Sequence, residues 1–107
     1  LSAFTHYRDH VGSRPDKHYK ATLFEGEMMM VGINCLEPGQ NQPAHDHSSS
    51  DKVYIVMEGT GTFTIGEETR EASVGEVVWA KSGVSHGVEN KGTTRFVALI
   101  CIAPLPT

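Results

Sequence analysis

The apolar positions of this chain fall in short blocks, separated every few residues by glycine, proline or serine. HYKATLF (18–24) reads as a strand followed by a turn at Glu25-Gly26-Glu27, and MMMVGINCL (28–36) as a second strand ended by Pro38-Gly39. Shorter strands are expected at 44–47, 52–58 and 61–65, and Gly66-Glu67-Glu68 reads as a hairpin connection into 69–72. Segments 76–80, 86–89 and 95–102 complete the set. In KVYIVME, alternation places Lys52, Tyr54 and Val56 on one face and Val53, Ile55 and Met57 on the other. No segment keeps an apolar period of 3.6 residues over helical length, so the pattern predicts an all-β sandwich or barrel. Gly39, Gly59, Gly66, Gly75, Gly83 and Gly92 fall between strands, where tight reversals suit glycine. So many short strands leave exposed edges unless the sheets close or pair. A double-sheet jelly roll solves most of that problem and leaves a mouth where inward side chains gather.

A length of 107 residues makes one domain, 1–107, with a mixed, polar stretch over 1–17 that reads as an arm or an edge strand used in dimerisation. The net charge of −4 and the lack of any lysine or arginine cluster argue against nucleic acid or an anionic membrane as partner. No apolar run is long enough to span a bilayer, and no signal-like segment follows Leu1. A removed export signal stays open because the first residue is not methionine; the cytoplasm is the default expectation. Cys35 and Cys101 sit in apolar strands, in neither a zinc-like nor a disulfide-framework spacing, and are expected to be small buried hydrophobes.

Chemistry enters with three histidines. His45 and His47, two apart on extended chain, point the same way, and His86 from a distant strand can complete a facial triad around a metal. Neutral imidazole suits several divalent transition metals. Lone histidines more often serve packing, and His6, His10 and His18, which lack any motif, are expected to do so or to face solvent.

The spacing around these histidines resembles the cupin family over about residues 28–102. Gly39, five residues, His45-Asp46-His47, four residues, Lys52, six residues and Gly59 reproduce its first motif. Gly75, five residues, Lys81-Ser82-Gly83, two residues, His86, three residues and Asn90 reproduce the second, with Lys81 in place of proline. The resemblance implies a double-stranded β-helix and a frequent dimeric state. It implies that His45, His47 and His86 hold one divalent metal, iron, nickel, zinc or manganese. It also implies an open coordination face for a small-molecule substrate or ligand, an anion among the candidates.

Two functions are expected from this. The leading one is a small metal-dependent enzyme with oxygenase-like chemistry on a small organic substrate; isomerases, lyases and hydrolases share the family. The other is a non-catalytic binding or sensing domain. Lys52 departs from the family, which carries a glutamate ligand there. Three readings stand: Lys52 pairs with an anionic substrate, acts as an acid or base after burial, or extends outward to Asp51 or Glu58. Asp51 is the competing ligand if the register shifts by one. Tyr54 shares the parity of Lys52 and can lend a hydroxyl; Asn90 is expected to fix the turn after His86. Met28, Met29 and Met30 read as flexible core filling, and Phe63, Val77 and Trp79 as structural.

Overall fold

The computed structural model describes residues 2–45 and 49–106. Among the described residues nine strands run in chain order as β1 (Tyr19–Glu25), β2 (Met30–Leu36), β3 (Asn41–His45), β4 (Asp51–Glu58), β5 (Thr60–Ile65), β6 (Glu68–Ser73), β7 (Val77–Ala80), β8 (His86–Glu89) and β9 (Phe96–Ala103). They form a five-stranded sheet, β1-β2-β9-β4-β7, and a four-stranded sheet, β3-β8-β5-β6. All strand pairings are antiparallel, and the result is the double-stranded β-helix expected of an all-β chain. No helix among the described residues is long and apolar enough to cross a membrane.

The interior between the sheets follows from strand parity. Tyr54 and Val56 of β4, Leu36 of β2 and Phe96, Ala98 and Ile100 of β9 face Phe63 and Val88 of the other sheet. The rings meet edge-on, Tyr54 to Phe63 at 5.0 Å and Phe63 to Phe96 at 5.9 Å between centroids. Full burial of each such side chain stabilises the fold by about 1.5–3 kcal/mol. Gly61 is required by this packing, since a Cβ there would stand 2.7 Å from the Phe96 ring.

The outer face of the larger sheet is apolar too. Ile33, Cys35 and Val97 are covered by Tyr7 and Val11 of the N-terminal segment and by Tyr19. Its described residues form no strand; they carry one turn of 3-10 helix, Tyr7–His10. The Tyr7 hydroxyl donates to Glu58 Oε2 at 3.0 Å, and Arg95 holds the other carboxylate oxygen at 2.9 Å. Asn90 behaves as its position suggested: its amide donates to Leu36 O at 2.8 Å and Thr94 O at 2.9 Å, and its oxygen takes the Gly92 N–H. Gly92 is not among the glycines with positive φ, unlike the other five named above.

Several sequence expectations need correction. β3 begins at Asn41 and not at Ala44. Met28 and Met29 are exposed rather than core filling, because they lie in the β1–β2 hairpin turn, closed by Gly26 N–H to Met29 O. Val77 and Trp79 are 63% and 58% exposed, because they lie on the outer face of β7, an edge strand. Cys35 is buried, Cys101 half-buried, and both are free thiols. In the β2–β9 ladder Cys101 opposes Val31, four residues from Cys35 and so roughly 13 Å away, beyond disulfide reach.

Candidate functional site

A β-bulge aims His45. Gln42 of β3 pairs with Val88 of β8, and a regular ladder from there would place Ala44 opposite His86. The register shifts between Gln42 and His45, so His45 takes that place and shares the inner face with His86. Pro43, with no N–H to give a ladder, sits in the bulge. The bulged backbone presses on Gly87, where a Cβ would lie 2.8 Å from Ala44 N and 2.9 Å from Gln42 O. The imidazoles of His45 and His86 come within 4.5 Å between centroids. His47, the third expected ligand, lies outside the described residues.

His86 is buried and its tautomer is set. Nδ1 lies 3.0 Å from Val84 O, an atom that only accepts, so Nδ1 carries the proton. Nε2 of the neutral ring then offers a lone pair into the interior, where it has no hydrogen-bond partner among the described residues. This is how a metal-binding imidazole is oriented by its second nitrogen. The turn that carries Val84 is closed by Val84 N–H to Lys81 O at 3.0 Å, with Gly83 at φ +81°. It is tied to β4 by Ser82 N–H donating to Asp51 Oδ1 at 2.9 Å. Asp51 therefore faces outward and steadies the His86 turn.

Lys52 points inward. It is 8% exposed, with Nζ 4.7 Å from the centre of the Tyr54 ring, so the outward reading toward Asp51 or Glu58 does not hold. The parity of β4 requires this once Tyr54 and Val56 are core residues. Burial, and then the nearby Lys20 ammonium, lower the Lys52 pKa to about 8. The Tyr54 π face beneath the ammonium acts in the opposite sense. Burial pushes the Tyr54 phenol well above its usual range, and its hydroxyl has no partner among the described residues. His18 is held below the usual histidine range by burial first, then by Lys20.

A cavity of about 510 Å³ opens beside Lys52, lined also by Lys20, Asn34, Gln42 and Ile100. Asn34 donates to Gln42 Oε1 at 3.3 Å and leaves its own Oδ1, buried, without a partner among the described residues. Sequence reasoning missed Asn34, Gln42 and Lys20 here. The available signal was Asn34 itself, the one polar side chain inside the apolar run MVGINCL.

The donor set fits a divalent transition metal: a buried imidazole lone pair with a second imidazole beside it. The matching family profile, described as Cupin domain, spans residues 32–102. An oxalate-binding protein of Thermotoga maritima is 30% identical over 95 residues, covering 87% of this chain and 73% of that one. A crystal structure from Thermus thermophilus superposes with a TM-score of 0.93 at 32% identity, over 98% of this chain and all of that chain (100%). A predicted oxalate decarboxylase from Thermotoga maritima superposes at 0.74 with 26% identity, over 80% of this chain and 79% of that one. With both motifs, the strand order and this profile in agreement, the chain belongs to the cupin family.

Proposed function

We propose that the protein binds a small carboxylate-bearing molecule inside the barrel, beside a divalent transition metal held by His45, His47 and His86. One observation carries the reading. The buried side-chain atoms without partners among the described residues are Asn34 Oδ1, Tyr54 OH and His86 Nε2; all three belong to inner-face residues, and the Tyr54 ring lies 4.7 Å from Lys52 Nζ and 6.4 Å from the His86 ring. Folded proteins leave few such atoms unpaired, and several in one interior mark a ligand site. No carboxylate among the described residues acts on Lys52, so an anion is the missing partner of its charge. The names of the oxalate-related relatives support the same ligand class.

A bound metal would supply Lewis-acid polarisation of ligand oxygens. The chain's own side chains do the rest: Lys52 neutralises the carboxylate, Tyr54 donates its phenol proton in a hydrogen bond, and Ile100 keeps one wall dry. Binding is the function this geometry supports best; the oxygenase-like turnover expected from the sequence rests on the family resemblance alone. Calorimetric titration of zinc-loaded protein with oxalate tests the reading. Lys52→Met should weaken binding by about 10-fold or more, since it removes a desolvated charge-assisted contact. Equal affinity in the two proteins would overturn the assignment. Product formation from a panel of carboxylates in air and under anaerobic conditions, with iron, nickel or manganese, would extend binding to catalysis.

The protein is further proposed to pair as a homodimer through the outer face near β7. Val53 and Ile55 of β4 lie directly across from Trp79 and Val77, and Cys101 of β9 adjoins Val53. These side chains carry no charge, and monomers rarely expose contiguous apolar patches of this kind. An uncharged patch can oppose its own copy across a two-fold axis without electrostatic conflict. Light scattering should give the dimer mass for wild type and the monomer mass for Trp79→Glu; a monomeric wild type contradicts the pairing.

A further inference from the structure

The cavity holds more recognition chemistry than a two-carbon diacid can use. Its volume of about 510 Å³ lies in the range of pockets that take drug-sized molecules. Asn34 stands on the inner face of β2, 1% exposed, among Met30, Gly32 and Leu36. One N–H of its amide donates to Gln42, and its Oδ1, which has no partner among the described residues, can only accept. A carboxylate placed against that oxygen would set acceptor against acceptor. A hydroxyl would complete it. Lys20 sits directly across from Asn34 in the β1–β2 ladder, on the same face, and its ammonium acts on Lys52 through space. Two cations and one buried acceptor therefore line a single cavity, and Ile100, Ile102 and Met30 offer an apolar wall between them for a carbon skeleton.

We infer that the preferred ligand is a hydroxy acid longer than oxalate, its carboxylate held by Lys52 and Lys20 and its hydroxyl donated to Asn34 Oδ1. The inference rests on the carboxylate-binding function proposed above and adds a specificity residue to it. Succinate, malate and tartrate share a four-carbon skeleton and differ only in hydroxyls, which isolates the effect. In calorimetric titrations of zinc-loaded wild type, malate and tartrate should bind about 10-fold more tightly than succinate, the usual consequence of leaving a buried acceptor unpaired. Asn34→Leu should bring that ratio close to one. Asn34→Thr, which keeps an acceptor oxygen, should retain part of the preference.

Wild-type measurements alone keep the inference exposed even if Asn34→Leu does not fold. Equal affinity for succinate and malate, with binding still sensitive to Lys52→Met, would overturn the hydroxyl assignment and leave the carboxylate site standing. A malate preference that survives Asn34→Leu would place the hydroxyl on the metal, and overturns it as well. Failure of oxalate and all three longer acids to bind would remove the proposed function and this inference with it.

Discussion

In the double variant H45A/H86A, divalent metal is expected to give no thermal stabilisation, whereas wild type should gain about 10–20 °C at one hundred times the metal's Kd. A ligand that binds only the folded state stabilises it by about 2.7 kcal/mol at one hundred times its Kd. For a chain of this length each kcal/mol moves Tm by roughly 4–8 °C. His86 already presents an Nε2 without a partner among the described residues, its proton fixed on Nδ1 by Val84 O, so little reorganisation opposes metal entry. Its neighbour His45 is 4.5 Å away between ring centroids, held there by the bulge. Removing both leaves, of the proposed set, only His47, and one imidazole does not hold a metal against water. Elemental analysis of untagged protein should agree, with metal in wild type and little in the variant. Equal melting shifts in the two proteins would defeat the metal assignment.

Strand existence was legible because glycine, proline and serine punctuate the apolar runs, and the two histidine motifs placed β3, β4 and β8. What the chain hid were features decided by tertiary pairing. Asn41-Gln42-Pro43 carries no strand signature; it is a strand because β8 pairs with it. Simple alternation groups His45 with His47, yet the inward placement of His45 depends on a bulge that alternation does not reveal. Val77 and Trp79 defeat a reading by parity because both faces of the larger sheet are apolar, and parity cannot say which face is covered. Lys52 could be placed only once Tyr54 and Val56 were known to be core, since Ser48-Ser49-Ser50 leaves the register of β4 open. The cavity-lining group of Asn34, Gln42 and Lys20 comes from three strands, and only Asn34 announces itself locally, as a polar residue at a buried position.

Lys52 should cost the metal-free protein stability at neutral pH, and Lys52→Met should recover it. Its folded pKa of about 8 lies below the ordinary lysine value of 10.5, so the charged form is disfavoured in the folded state. Below pH 8 the side chain is charged in both states and the penalty is fully present. Between pH 8 and 10.5 the folded state sheds the proton first, the unfolded state binds more protons, and stability rises with pH. At 1.36 kcal/mol per pK unit the penalty is roughly 3 kcal/mol, reduced by the Tyr54 π face under the ammonium. Urea unfolding of wild type and Lys52→Met should therefore differ by about 1–3 kcal/mol at pH 7 in favour of methionine. The gap should close as pH approaches 10.5, which separates a charge effect from better packing, since packing does not titrate. A methionine variant less stable than wild type at pH 7, or a difference that ignores pH, would refute the buried-cation account. The same substitution is expected to weaken oxalate binding, so one residue lowers stability and raises affinity together. That is the behaviour of a charge kept inside the barrel for its ligand rather than for the fold.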